Sequence, residues 1–85
     1  MEFVERLKMS QLELGMNSTQ FAKYMGMSRA WLIDVRSNTK PSRTLQPMTM
    51  IKIHKILGIP LEVMEKYNKM VVRNVLAEWE YNERN

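Results

Sequence analysis

The 85 residues carry 13 Lys and Arg against 9 Asp and Glu, a net charge of +4, and 45% of them are hydrophobic. That is one domain with a single modest core, and enough apolar content to fold rather than stay disordered. The absence of cysteine excludes disulfides, thiol catalysis and cysteine-ligated zinc, and the one histidine, His54, makes no metal site alone. No apolar run approaches the roughly 18 residues of a membrane span. The start, MEFVERLKMSQ, is charged throughout, unlike a secretory signal. A soluble cytoplasmic protein without cofactor, metal or membrane is the expectation.

In chain order, residues 2–14 read as a helix, with Phe3, Val4, Leu7, Gln11 and Leu14, joined by Met9 and Leu12, at three- and four-residue spacing. Gly15 can end it. Asn17 is a good N-cap, and Gln20 three residues on completes a capping box. The second helix runs to about Met25 with Phe21, Ala22 and Met25 as its apolar face. Gly26 supplies the left-handed conformation of a tight exit. Met27 plugs the turn and Ser28 caps a third helix over 29–36, with Trp31 at the edge of the core. Residues 37–46, SNTKPSRTLQ, are a loop by composition.

Pro47 fits the first turn of a fourth helix reaching Leu57, with Met50, Ile51, Ile53, Ile56 and Leu57 as its stripe and Gly58 as its end. Pro60 opens a fifth, with Leu61, Met64 and Tyr67 inward. After Asn68 a further amphipathic stretch carries Val71, Val72, Val75, Leu76 and Trp79. It either continues the fifth helix or forms a sixth. No strand alternation, repeat or low-complexity tract occurs, so the expected class is all-α.

The positive charge belongs to the middle of the chain. From Leu14 to Pro60, seven basic residues (Lys23, Arg29, Arg36, Lys40, Arg43, Lys52, Lys55) stand against Asp34, a local charge of +6. From Leu61 to Asn85, four basic residues stand against five acidic ones, a charge of −1. A local cationic field is the footprint of a polyanion binder.

Residues 18–37 read as two short helices joined by a tight turn. The apolar set of Phe21, Met25, Met27, Leu32 and Val35 packs the second across the first. Arg29, Ala30, Ile33 and Asp34 then share the opposite, free face. Such a face enters the DNA major groove with its N-terminal end first. Arg29 can bond guanine O6 and N7 with both arms of its fork, Asp34 can accept from a cytosine amino group, and Ala30 and Ile33 can touch a thymine methyl. Ser28 can add a phosphate contact at the helix N-terminus. Asp34 has a second use, an ion pair with Arg29 or Arg36.

The segment STQFAKYMGMSRAWLIDVRSN resembles the helix–turn–helix of phage repressor and Cro-type regulators. IKIHKILGIPLEVMEKY resembles the fourth helix and following turn of the same domains. The resemblance covers roughly residues 3–67 and implies a lambda-repressor-like domain. By that likeness Arg29, Ala30 and Asp34 take the base-reading positions, and Asn17, Ser18, Asn38, Lys40 and Arg43 the phosphate-contacting ones. Two departures stand out. The family carries glutamine where Ser18 stands, and serine is too short for the same bridge. The loop from Asn38 to Pro47 is also longer than the family's.

The sequence thus divides into a DNA-binding domain over 1–67 and a C-terminal segment over 68–85. Val71, Val72, Val75, Leu76 and Trp79 of that segment form a dimer or partner interface, or fold Trp79 back onto the first helix. The expectation is a dimeric, sequence-specific transcriptional regulator, a repressor from a phage, prophage or mobile element. No paired carboxylates, nucleophile–base set or phosphate-cradling glycine loop marks an enzyme. Two other classes fit the same residues: an antitoxin or similar module binding a regulatory protein partner through the C-terminal helix, and an excision or architectural factor that bends DNA.

Overall fold

The computed structural model describes residues 2–36 and 43–84. Five helices and no strand occur among them: α1 (Glu2–Leu14), α2 (Ser18–Tyr24), α3 (Arg29–Arg36), α4 (Pro47–Leu57) and α5 (Leu61–Arg84). The chain is all-α. The helix starts lie where local chemistry places them. Asn17 and Gln20 close a reciprocal capping box, with the Gln20 N–H donating to Asn17 Oδ1 at 2.8 Å and the Asn17 N–H to Gln20 Oε1 at 3.0 Å. Ser28 Oγ accepts the Trp31 N–H at 3.0 Å and so caps α3. Pro47 occupies the first turn of α4, where its missing N–H costs nothing.

Helix α2 packs on α3, α1 on both α3 and α5, and α4 on α5. The core gathers Phe3, Val4 and Leu7 from α1, Phe21, Ala22 and Met25 around α2, and Trp31, Leu32 and Val35 from α3. Ile53 joins from α4, and Val63, Met64, Tyr67 and Val71 from α5. The rings of Phe3 and Tyr67 lie 5.0 Å apart at 55° and join the first helix to the last. Leu45 and Ile59, outside any helix, are buried too.

Some expected core positions are exposed. Met9 and Leu12 lie on the side of α1 away from α3 and α5, and Leu14 stands beyond the part they cover. Ile51 and Leu61 line an open groove of 490 Å³ between α4 and α5, shared with Pro47, Met50 and Asn68. Pro60 lies just before α5 rather than in it, and its carbonyl accepts the Val63 N–H at 3.1 Å.

The stretch after Asn68 continues α5 without a break, so the helix spans 24 residues. Val71 is its last buried residue, and every residue from Val72 to Tyr81 is exposed. Val71 therefore belongs to the core of its own chain, not to an interface. Trp79, 57% exposed, does not fold back onto α1.

Candidate nucleic-acid interface

The turn between α2 and α3 depends on Gly26, whose φ of 72° is a conformation other residues adopt at a cost. A Cβ at this position would also collide with Lys52 Nζ. The Lys52 ammonium thus lies over the turn, near the C-terminal end of α2, where the free carbonyls of a helix favour a cation. The Met27 N–H closes the turn on the Ala22 carbonyl at 2.8 Å.

Helix α3 is then locked on one side and bare on the other. Trp31, Leu32 and Val35 are buried, whereas Arg29, Ala30, Ile33 and Asp34 are exposed. Ile33 is 46% exposed on this face. Arg29 is the first residue of α3, and no acidic residue occupies that first turn. A cation at the positive end of a helix costs roughly 0.3–1 kcal/mol.

Asp34 has an arginine partner, but it is Arg43, at 3.3 Å, and neither of the two arginines on its own helix. Arg36 is engaged elsewhere. Its guanidinium donates to Gln11 Oε1 on α1 and, at 3.0 Å, to Ser18 Oγ at the start of α2. Gln11 in turn donates to the Met16 carbonyl at 3.2 Å. This group ties the C-terminal end of α3 to α1 and α2 and fixes the tilt of the exposed face. Arg36, half-buried among acceptors, acts on the frame of the site. Ser18 Oγ accepts from Arg36 and keeps its own O–H to donate outward.

Arg43 reaches the site because α5 holds the segment that follows the loop. Tyr67 Oη donates to the Arg43 carbonyl at 3.0 Å. Asn68 makes a matched pair with Leu45, accepting its N–H at 2.7 Å and donating to its carbonyl at 3.0 Å. Neither role is visible in the sequence, where Tyr67 reads only as an inward apolar residue and Asn68 as a helix boundary. Of the other expected phosphate contacts, Asn17 is exposed with its Oδ1 in the capping box, and Ser28 is exposed with its Oγ in the α3 cap. Asn38 and Lys40 lie outside the described residues.

Burial pushes the Tyr67 hydroxyl up from 10.0 to about 12, with the Arg43 charge opposing the rise and Asp34 adding to it. The folded state therefore holds the proton more tightly than the unfolded chain. The stability from this neutral donor is complete below pH 10 and lost as pH rises toward 12. Tyr67→Phe is expected to cost about 0.5–1.5 kcal/mol at neutral pH through the lost hydrogen bond. That difference shrinks between pH 10 and 12, as read by urea midpoints of the two proteins across the range. A difference that stays constant with pH would place the hydroxyl in water.

Among the described residues no group of three or more His, Cys, Asp or Glu could hold a metal ion, and no helix is long and apolar enough to cross a membrane. Comparison with protein-family models, with curated proteins and with solved structures gives no match.

Proposed function

We propose that this protein is a sequence-specific DNA-binding regulator that reads the major groove with α3. The observation that carries this reading is the division of α3 into a buried side of Trp31, Leu32 and Val35 and a bare side of Arg29, Ala30, Ile33 and Asp34. The basic middle of the chain and the resemblance of residues 18–38 to repressor and Cro-type helix–turn–helix segments support it. On this reading the five helices form a lambda-repressor-like domain. Arg29 takes guanine, Ala30 and Ile33 meet thymine methyls, and Asp34 accepts from a cytosine amino group.

Phosphates are met by the backbone at the starts of α2 and α3 and by Asn38, Lys40 and Arg43. The Asp34–Arg43 pair fits this use. Both side chains are about half exposed, and such a pair is worth roughly 0–1 kcal/mol. DNA can therefore separate it at small cost, leaving Arg43 to a phosphate and Asp34 to a base edge. The protein acts as a repressor of a phage, prophage or mobile element by occupying an operator that overlaps a promoter. It binds as a dimer with half-sites about one helical turn apart, joined through Val72, Val75, Leu76 and Trp79.

The test is selection of bound duplexes from a random library at near-physiological salt. An enriched inverted repeat is the expected result. Salt-sensitive binding with no enriched sequence would overturn base reading and leave a protein partner of α5 as the function.

A further inference from the structure

Helix α4 is mostly apolar, yet Ile53 is its only buried residue. Met48 is 76% exposed and Ile51 43%, and Leu61 at the start of α5 is 39% exposed. Ile51 stands on a ridge between two open grooves. One, of 490 Å³, runs between α4 and α5 and takes in Met50 and Leu61. The other, of 420 Å³, lies between α4 and the α2–α3 turn and takes in Met27 and Met48. A contiguous exposed apolar surface rimmed by polar residues marks a place where another molecule sits. Three of its members are methionines, whose unbranched, polarizable side chains re-pack around a partner.

The charges at the rim narrow what that molecule is. Helix α4 contains no acidic residue. Lys52 and Lys55 edge the groove beside the turn. Glu65 and Lys69 edge the other and offset one another, so the excess positive charge lies on α4. Among the described residues none of these lysines is paired with a carboxylate. DNA phosphates would satisfy the lysines but leave Met48 and Ile51 in water. A second copy laid on this face about a two-fold axis would set the same positive patch against itself. A helix with an apolar stripe and acidic flanks meets both requirements. Its apolar side chains, at three- and four-residue spacing, enter the grooves on either side of Ile51, and its carboxylates reach the lysines.

We infer that the outer face of α4 is a docking surface for an acidic amphipathic helix of a partner protein. The apolar ridge and its grooves supply the affinity, and Lys52 and Lys55 select an acidic partner and steer its approach. The surface uses none of the exposed residues of α3 and none of the stripe from Val72 to Trp79. It goes beyond the DNA reading and does not rest on it. Binding is measured without DNA, so the failure of one leaves the other standing.

The probes are three peptides of about five helical turns, held helical by side-chain cross-links. The first repeats leucine along one side and carries glutamate on its flanks. The second has lysine for every glutamate, and the third has serine for every leucine. Fluorescence anisotropy titrations with the full chain are expected to show binding of the first alone. Met48→Asp is expected to weaken that binding about tenfold or more, with an unchanged circular-dichroism spectrum. The double variant Lys52→Glu, Lys55→Glu is expected to lose the glutamate peptide and gain the lysine peptide, a switch that an unfolded variant could not make. No binding of the first peptide, equal binding of the first two, or binding indifferent to Met48→Asp overturns the docking surface. A sedimentation mass that falls on Met48→Asp gives the face to a second copy instead. Loss of DNA affinity in the double variant with peptide binding unchanged gives it to the phosphate backbone, and either result overturns the proposal.

Discussion

Truncating Phe21 to alanine is expected to remove about 3–5 kcal/mol of folding stability, the usual cost of deleting a buried ring. Phe21 is fully buried on α2, and with Ala22 and Met25 it forms the surface against which α3 lies. No neighbouring segment is free to fill the space, because the capping box fixes the start of α2 and Gly26 fixes its exit. A chain of this size has roughly 5–15 kcal/mol in all, so the loss takes a large part of it. Urea denaturation measures it directly. Phe21→Leu, which leaves a smaller void, should lose less than half as much. A loss under about 1 kcal/mol for the alanine variant would mean that the two helices are not held by this contact. DNA binding in the Phe21→Ala protein is expected to fall only as far as the folded fraction falls.

Arg29→Ala should behave in the opposite way. The side chain is exposed and has no role in the core, so stability changes by no more than about 0.5 kcal/mol. Relief of the unfavourable cation at the start of α3 acts in the stabilising direction. Affinity for the selected site drops by about 1–3 kcal/mol, and preference relaxes at one base pair. Arg29→Lys keeps the charge but loses the planar fork. It is expected to retain general DNA affinity and to lose most of the preference. Competition binding against single-base variants of the site separates the two. If affinity and preference both match wild type, Arg29 reads no base.

Much of this architecture is legible in the sequence because its signals are local. The Asn17–Gln20 box, the Ser28 cap, Gly26 and Pro47 act through the few residues around them, and the helix limits follow from that chemistry. The bare face of α3 is legible too, since it is the complement of the Leu32 and Val35 periodicity. What stays hidden depends on contacts between distant parts of the chain. Arg36 reads as surface charge, yet its partners are Gln11 and Ser18, 25 and 18 residues away. The sequence offers Asp34 an arginine on its own helix, but Arg36 two residues on and Arg29 five residues back both miss the three- or four-residue spacing that brings side chains together. The pair with Arg43 requires α5 to hold that segment in place. Val71 and Val72 read alike along the chain, and only the point where α5 leaves the body separates them, one buried and one bare.

The contact between Phe3 and Tyr67 has a consequence for how the molecule assembles. It spans 64 positions, from residue 3 to residue 67, and draws together nearly the whole chain. The packing of α2 on α3 joins residues a dozen or so apart. The entropy lost in closing a loop grows with the logarithm of its length, and chains dominated by near neighbours fold faster than those that must first bring distant segments together. The α2–α3 pair is thus expected to belong to the quick, local part of folding. The meeting of α1 with α5 is expected to come late, and substitutions in a contact that forms late speed unfolding more than they slow folding.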